Sequence, residues 1–486
     1  MQNIIKWLLL LLLFMPVFYF AFRNKKWYLY LACAFIGILP DEFAIELSAS
    51  LPLLTVERIL LLLMLGFWLY KKFKERKFNI PISLTIYLGI NTIISLINTQ
   101  FGIGGELKRM IVLISENILL ILMITDFIED RDQLVKCLDS MILSCIALSL
   151  IGIIQTIFEY DLSSVLTLVP TRYNDSLTLR MGIIRAFGTS NAIIYGCYCA
   201  FMAVLIFYRL ERTGKQRYAF ALGLDIVAMI CTLSRSSWLC AVGIFGLIFI
   251  CRPKKFIKRI WTSVACTILI CISLCLVNTN FQAAITETGK SSINTVLSTL
   301  HIQLPNSSDT NSENKPNEDK NNPHFELSEE FGDNADNPTR SRMVEWTSVT
   351  YMVKEGYGLF GYGYNAFLRG RLQYFYPQFG FWTVATTLDV GLLAIITESG
   401  FVGLLAHLAL LGYVFIAAFR RRGKKGTFNY YKCMLYIIPA YLILNFMAAF
   451  TGGFWLLLSL FYASMQLDKK GLFDNGEAAH NKKWLI

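Results

Sequence analysis

Charged residues are scarce in this chain. Only 16% of its 486 residues are Asp, Glu, Lys or Arg, and 55% are hydrophobic, whereas a soluble domain usually carries about a quarter charged residues. A soluble protein of this length is therefore excluded. The apolar residues form blocks of about twenty, the length that crosses a lipid hydrocarbon core as a helix. Such blocks lie at residues 4–22, 80–96, 141–158 and 261–277. The composition predicts an all-α, polytopic integral membrane protein.

Histidine is nearly absent, and the long polar segment after residue 278 has no cysteine. The four histidines, at 301, 324, 407 and 480, show no paired ligand spacing, so we predict no protein metal site and no cofactor. All twelve cysteines lie in or at the ends of apolar blocks. They are typical of small hydrophobic residues in spans, not of a disulfide framework.

The formal net charge of +11 does not indicate nucleic-acid binding, because the basic residues lie in short connectors between apolar blocks. These connectors are residues 23–26, 71–77, 209–217, 252–259, 420–425 and the tail from 469. The positive-inside rule makes them cytoplasmic. Connectors near 45–56 and 98–107 have no Lys or Arg, although Lys108 and Arg109 directly after the second do not fit the rule. Strict alternation then gives about 12–13 transmembrane helices, an external N-terminus and an internal C-terminus.

The longest polar segment, residues 279–400, is predicted to be one large extracytoplasmic loop. Within it, residues 303–339 consist mainly of Asn, Asp, Glu, Ser and Pro, a composition that favours disorder. Apolar residues then recur at helical spacing, namely Met343, Trp346, Val349 and Val353. We expect an amphipathic helix lying on the membrane surface, beginning near Pro338 and Thr339. It ends in a glycine-rich run, Gly356-Tyr-Gly-Leu-Phe-Gly-Tyr-Gly-Tyr-Asn365, that indicates tight turns.

The rest of the chain is divided around this loop. We expect N-terminal spans, spans flanking a short polar turn, C-terminal spans and a cytoplasmic tail, at residues 1–184, 185–278, 401–468 and 469–486.

Arginines recur in the connectors predicted to be external. Arg185 lies in the connector 159–191, and Arg235 lies in the short turn 233–237 between two spans. The guanidinium group binds phosphate in a bidentate manner, whereas lysine acts as a point charge. A lipid phosphate or pyrophosphate is therefore the predicted partner of these arginines.

Four motifs in this order resemble the O-antigen ligase and polymerase superfamily. They are Arg185-Ala-Phe-Gly-Thr-Ser-Asn191; Thr232-Leu-Ser-Arg-Ser-Ser-Trp238; Arg342-Met-Val-Glu-Trp346 with Gly361-Tyr-Gly-Tyr-Asn-Ala-Phe367; and Asp389 followed by Glu398-Ser-Gly-Phe-Val-Gly403. Residues 1–150 match only in being hydrophobic.

The resemblance implies a metal-independent glycosyltransferase on the outer face of the bacterial cytoplasmic membrane. Its substrate would be a glycan linked to undecaprenyl pyrophosphate, and its protein partners would be a flippase and a chain-length regulator. Arg235 and Arg342 would hold the pyrophosphate, and Asp389 would stand where ligases of this family carry a catalytic histidine. Polymerases often have Asp there, so the resemblance favours a polymerase. Val390 and Leu392 depart from the Asn and Tyr common in the family.

Each of these residues also has an ordinary structural interpretation. Arg235 is also typical of a residue that snorkels to lipid head groups. Arg342 is also typical of the polar face of a surface helix, and Arg340 is an alternative to it as phosphate ligand. Asp389 alternatively caps the next helix, and Glu398 shapes the turn before Gly400.

Four further residues have more than one interpretation each. Glu116 and Asp225 lie deep in apolar blocks, where a charge is costly; they contact the sugar, pair with an arginine or have a structural role. Tyr362 and Tyr364 stack on sugars or follow the general preference of aromatic residues for the membrane interface.

Three functions compete at this stage. The first is a polysaccharide polymerase, with ligase as its near variant, acting on capsule, exopolysaccharide, O-antigen or a wall glycan such as teichuronic acid. The second is a transporter, such as a flippase of the same lipid-linked glycan, although the chain shows no internal repeat. The third is a receptor or sensor. It is the least favoured, because we identify no soluble signalling domain after the last span.

Overall fold

The computed structural model describes residues 15–16, 19–20, 23–36, 44–45, 54–75, 80–159, 179–180, 183–188, 192–251, 253–299, 338–364, 366, 372–376, 381–384, 390–422, 430–447 and 453–471. All structural statements concern this part of the chain.

Helices make up most of it. In chain order they are α1 (Lys25–Phe35), α2 (Val56–Glu75), α3 (Ile82–Asn98), α4 (Ile103–Val112), α5 (Leu120–Phe127), α6 (Arg131–Phe158), α7 (Ala192–Thr213), α8 (Gln216–Cys231), α9 (Arg235–Cys251), α10 (Pro253–Val277), α11 (Thr279–Thr299), α12 (Pro338–Lys354), α13 (Gly391–Arg421), α14 (Tyr430–Met447) and α15 (Phe454–Lys469). A 3₁₀ turn, Thr99–Phe101, follows α3, and a π-helical segment, Leu113–Leu119, joins α4 to α5.

Among the described residues, six helical stretches are long and apolar enough to cross a membrane. They are Ile82–Phe101, Ile103–Phe127, Arg131–Phe158, Ala192–Thr213, Arg259–Val277 and Gly391–Arg421. The predicted fold class, an all-α polytopic membrane protein, is confirmed. The count of 12–13 spans stays a prediction, because it depends partly on residues 1–54, most of which lie outside the described part.

Three short antiparallel hairpins lie in connectors between helices. They pair β1 (Ala44–Ile45) with β2 (Leu54–Thr55), β3 (Leu179–Arg180) with β4 (Ile183–Ile184), and β5 (Gln373–Tyr376) with β6 (Phe381–Val384). The sequence analysis did not anticipate them. The third pairs Tyr374 with Thr383 and Phe375 with Trp382, residue types that favour strands.

The core is centred on α7, which is buried along nearly its whole length between α6, α8, α9 and α14. In contrast, α10 is mostly exposed, with Trp261, Leu269 and Leu276 facing outward. Outward apolar side chains are what lipid contact requires. The bundle therefore has a helix at its centre and a lipid-type surface at its edge.

Basic residues gather at one end of the bundle, which we call the basic end. Four contacts define it. Lys72 Nζ lies 2.7 Å from Asp126 Oδ2, Arg209 binds both oxygens of Asp139 at 2.8–2.9 Å, Gly214 lies against the guanidinium of Arg259, and Arg421 Nε lies 3.6 Å from Asp468 Oδ2. These pairs join helices that are distant in sequence, so the connectors that the sequence analysis grouped by charge are also grouped in space.

Arg109, which did not fit the positive-inside pattern, has a different role. Its Nη2 donates to Asn91 Oδ1 at 3.0 Å, and its Nη1 lies 3.5 Å from Glu106 Oε2. The charge is neutralised inside the bundle, so it carries no information about orientation.

Helix α13 crosses the predicted boundary between the loop and the C-terminal spans, which stays a prediction. The helix begins at Gly391, well before residue 401, and breaks at Gly400, where φ is 67° and ψ is −171°. The polar residues Glu398 and Ser399 interrupt the hydropathy at this break, which is why the sequence analysis placed the start of the span after it.

Candidate active site

The Ser-Arg turn, residues 232–237, joins α8 to α9 at the end of the bundle opposite the basic end. The Thr232 hydroxyl donates to Met229 O at 2.6 Å and accepts from Ser234 N at 3.2 Å. Leu233 has φ of 49°, a left-handed conformation that is uncommon for a residue with a side chain. These contacts fix Arg235 as the first residue of α9.

Arg235 is enclosed by protein, with 9% of its surface exposed. A snorkelling side chain at a lipid-facing helix end would be exposed in the structure. The geometry therefore favours a role inside the protein for this arginine.

Arg185 lies directly against this turn. Its Nε donates to Thr232 O at 2.7 Å, and the next residue, Ala186, donates its backbone N–H to Cys231 O at 3.0 Å. Two of the four predicted motifs are thus in contact, although they are 47 residues apart in sequence.

Gln155, near the end of α6, holds the Arg185 segment in place. Its Oε1 accepts from Phe187 N at 3.3 Å and from Gly188 N at 3.0 Å, while its Nε2 donates to Gly188 O at 3.0 Å. Gln155 is completely buried. Since buried backbone groups need partners, this side chain determines where the segment can lie.

The glycine turn, residues 356–364, packs directly on the break in α13 through backbone hydrogen bonds. Tyr362 N donates to Thr397 O at 2.8 Å, and Phe401 N donates to Gly358 O at 2.9 Å. A Cβ at Gly361, where φ is 75°, would lie 2.7 Å from Gly400 N. Only glycines allow this approach, so the two predicted glycine motifs form one joint.

Two buried side chains from the N-terminal helices hold this joint. Asn98, at the end of α3, donates from Nδ2 to Phe360 O at 2.8 Å and to Glu398 O at 3.2 Å. Glu106, in α4, accepts from Tyr364 N at 2.7 Å. The glycine turn is therefore fastened to helices from a region that resembled the family only in hydrophobicity.

The predicted loop helix is α12, and it begins at Pro338 as expected. Its buried face differs from the prediction. Glu345, Ser348 and Met352 are buried, whereas Val353 is 50% exposed. The reason is that α12 packs on α13 and on strand β5, so its inner face contacts protein instead of following apolar spacing alone.

Contacts of α12 link it to both neighbouring motifs. Glu345 Oε2 accepts from Val390 N, the residue after Asp389, at 3.2 Å. The Trp346 ring lies 5.9 Å from the Phe446 ring at the end of α14. Cys240 in α9 in turn approaches Ile443 O of α14 at 3.9 Å, so α14 connects the loop helix with the helix that Arg235 begins.

Three predicted site residues lie wholly or partly outside the described part of the chain. Arg340 and Arg342 lie on the described backbone of α12, but their side chains lie outside the described residues, as does the whole of Asp389. The predicted disordered stretch 303–339 also lies outside, apart from residues 338 and 339, which begin α12. The predicted meeting of Arg342 and Asp389 stays a prediction.

Glu116 pairs with an arginine, one of the alternatives left open. Its Oε1 lies 2.7 Å from Arg58 Nε, between the π-helical segment and α2. Asp225 is buried in α8 with 1% exposure, and its Oδ1 accepts from the Cys145 thiol at 3.2 Å. This burial in the core favours the structural interpretation of Asp225.

Tyr362 is part of an aromatic cluster. Its ring lies 4.7 Å from that of Tyr357 and 5.9 Å from that of Phe101, and it is 5% exposed. Burial raises the pKa of its hydroxyl above the ordinary value. Little of the ring is left for a sugar. Tyr364 is half-buried, and its backbone N–H is used by Glu106.

Glu398 contributes its backbone to the glycine joint. Its carbonyl accepts from Gly363 N at 3.2 Å as well as from Asn98. This agrees with a residue that shapes the turn before Gly400.

Sequence reasoning missed four residues of this end, Asn98, Glu106, Gln155 and Glu345. The signal for Glu106 was present, because an acidic residue one helical turn before Arg109 is typical of an ion pair. Glu345 stood inside a quoted motif without being singled out. Asn98 and Gln155 gave no local signal beyond being polar residues at the ends of apolar blocks.

No group of three His, Cys, Asp or Glu side chains that could hold a metal ion occurs among the described residues. Whether the reaction needs a metal is a separate question, and its independence from metal stays a prediction.

The fold defines a multi-pass membrane protein in which the loop helix and the glycine turn pack on α13, at the same end of the bundle as the arginine-bearing turns. Residues 218–408 match the family model described as O-antigen ligase. The predicted resemblance to the O-antigen ligase and polymerase superfamily is confirmed over these residues, and the match supports a membrane polysaccharide polymerase or ligase in general terms. The match includes Arg235 and Asp389 but begins after Arg185. No curated protein and no solved structure matches the chain.

Proposed function

We propose that this protein is a glycosyltransferase that polymerises oligosaccharide units carried on undecaprenyl pyrophosphate, on the outer face of the bacterial cytoplasmic membrane. One observation carries the proposal. The Ser-Arg turn, the glycine turn and the loop helix of the matched region gather at a single end of the bundle, opposite the basic end. The positive-inside rule assigns the basic end to the cytoplasm.

The chemistry requires two groups at this end. The acceptor hydroxyl attacks the anomeric carbon of the donor, the bond to the lipid diphosphate breaks, and a base takes the hydroxyl proton. In the proposal, Arg235 and Arg342 stabilise the departing diphosphate, because guanidinium groups placed where charge develops lower the barrier. Asp389 is the proposed base, which typically contributes about 10²–10⁴-fold in rate.

Arg185 has a supporting role in this proposal. Its Nε is used by Thr232 O, so one part of the guanidinium anchors the turn that carries Arg235. Arg340, two residues before Arg342 on α12, is the alternative second phosphate ligand. We prefer a polymerase to a ligase because Asp389 stands where ligases of the superfamily carry histidine.

The test is to replace Arg235 and Arg342 singly by Ala, with Arg420→Ala as control. Arg420 is an exposed arginine in the last turn of α13, at the basic end. We expect loss of long surface glycan in the first two variants and normal glycan in the control, at equal protein levels in the membrane. Full activity of both site variants would overturn the proposal.

The accumulated intermediate separates the competing functions. A polymerase defect leaves single repeat units on the lipid, and a ligase defect leaves long chains on undecaprenyl pyrophosphate. A transporter defect leaves lipid-linked units on the cytoplasmic side. Either of the last two patterns would replace the polymerase assignment.

A further inference from the structure

Helix α13 begins without a capping side chain of its own. Its N-cap residue is Val390, with φ of −90° and ψ of 117°, and no side chain of the helix accepts a cap hydrogen bond. A capping box would place Glu or Gln three residues later to bind the N-cap N–H, but that position holds Leu393. The N–H of Val390 therefore needs an acceptor from elsewhere.

Glu345 of the loop helix supplies this acceptor. Its Oε2 accepts from Val390 N at 3.2 Å, so it performs from another helix the role that a capping-box glutamate performs within one. A carboxylate is also favoured near the positive end of the α13 dipole. With 3% of Glu345 exposed, loss of the contact would leave buried polar groups without their partner.

Apolar contacts surround this hydrogen bond. Val390 and Leu393 are completely buried, and Trp346 and Val349 of α12 pack against them. Exclusion of water strengthens the electrostatic contact. The junction of α12 with α13 is thus a buried apolar contact that contains the hydrogen bond between Glu345 and Val390.

This junction lies between the two residues assigned to the reaction. Arg342 precedes Glu345 by about one turn along the backbone of α12. Asp389 immediately precedes Val390 in the chain. The Glu345 contact therefore joins the turn of α12 that follows Arg342 to the start of α13.

We propose that Glu345 is a positioning residue, whose carboxylate sets the placement of Asp389 relative to Arg342. This inference rests on the proposed function. Glu345 neither takes the acceptor proton nor binds the diphosphate in this assignment. It acts through Val390.

The experiment compares Glu345→Gln with Glu345→Ala in purified enzyme acting on lipid-linked oligosaccharide. Glutamine keeps an acceptor oxygen for Val390 N, so we expect kcat within about threefold of the original and an unchanged pH profile. Alanine removes the acceptor. We expect kcat to fall on the order of 10²-fold, as for a small displacement of reacting groups, with KM nearly unchanged.

Ser348→Ala is the matched control for burial in α12. Ser348 is completely buried, and its hydroxyl donates only along the helix, to Glu345 O at 2.6 Å. We expect near-normal activity. Should Glu345→Ala not accumulate, Glu345→Gln alone still tests the assignment through its kcat and pH profile.

Three results would overturn the inference. Loss of activity in Glu345→Gln, with or without a changed pH profile, would make the carboxyl itself a participant. Full activity of Glu345→Ala would show that the contact is dispensable, and an equal loss in Ser348→Ala would reduce it to general packing. Failure of the proposed function appears separately, as full activity of the Arg235 and Arg342 variants.

Discussion

At the scale of single residues, Gln155 is the side chain on which the arrangement of Arg185 and Arg235 depends. It satisfies three backbone groups of residues 187 and 188, and Arg185 in turn binds the carbonyl of Thr232. The chain of contacts runs from α6 through the connector to the Ser-Arg turn. A polar residue far from the motifs thus determines where the motif arginines lie.

We predict that Gln155→Leu lowers both stability and activity. It leaves two buried N–H groups without an acceptor, at about 1–3 kcal/mol for each unsatisfied group. Gln155→Glu keeps the acceptor and should retain more of the stability. Thermal unfolding of the purified protein and glycan length measure the two effects.

Thr156→Val serves as the control for this change. Thr156 is the adjacent buried residue, and its hydroxyl donates within the helix to Gly152 O at 3.1 Å. If Thr156→Val destabilises the protein as much as Gln155→Leu, the effect belongs to packing of α6 and not to the hydrogen bonds of Gln155 with residues 187 and 188.

The arginines were predictable from sequence, but their supports were not. Arg185 and Arg235 stand out because arginine is rare in apolar surroundings and its partners are limited. Gln155, Asn98 and Glu345 act across long distances in sequence, and their neighbours within the chain say nothing about their targets. Only the packed bundle brings donor and acceptor together.

At the scale of elements, the glycine joint is the most constrained contact of the candidate site. Gly400 has a φ and ψ that only glycine adopts readily. A Cβ there would collide with the carbonyl oxygen of Leu359. The break in α13 and the turn at residues 356–364 can therefore form only together.

We predict that Gly400→Ala destabilises the protein by about 1–3 kcal/mol from backbone strain alone, and that it reduces glycan synthesis. Gly412→Ala in the same helix is the matched control, since nothing lies within 4 Å of its added Cβ. It should be neutral or stabilising by about 0.5–1 kcal/mol. Equal unfolding temperatures for both variants would contradict the requirement for glycine at the break in α13.

The elements themselves were largely visible in the sequence. Apolar length predicted α3, α6 and α10, and helical spacing with Pro338 predicted α12. The rotation of α12 was missed because protein packing, not lipid, determines its inner face. The start of α13 at Gly391 was not predicted. The polar residues Glu398 and Ser399 interrupt the apolar sequence inside this helix, so the hydropathy pattern places the start of the span after them.

At the scale of the whole molecule, the elements of the candidate site are held in place by residues outside the region that matches the family. Asn98 and Glu106 fasten the glycine turn, and Gln155 fastens the connector that reaches the Ser-Arg turn. All three precede residue 218, where the family match begins. The N-terminal helices therefore hold elements of the candidate site in place, although they contribute no motif.

The two ends of the bundle also make the orientation testable. Leu359 in the glycine turn is 62% exposed, and Arg420 is exposed at the basic end. In a Cys251→Ser background, which removes the exposed native thiol, we predict that Leu359→Cys reacts with a membrane-impermeant maleimide on intact spheroplasts. Arg420→Cys should react only after lysis, because the positive-inside rule keeps the basic end in the cytoplasm. The reverse labelling would place the arginine turns on the cytoplasmic side, where synthesis of a surface polymer from exported units could not occur.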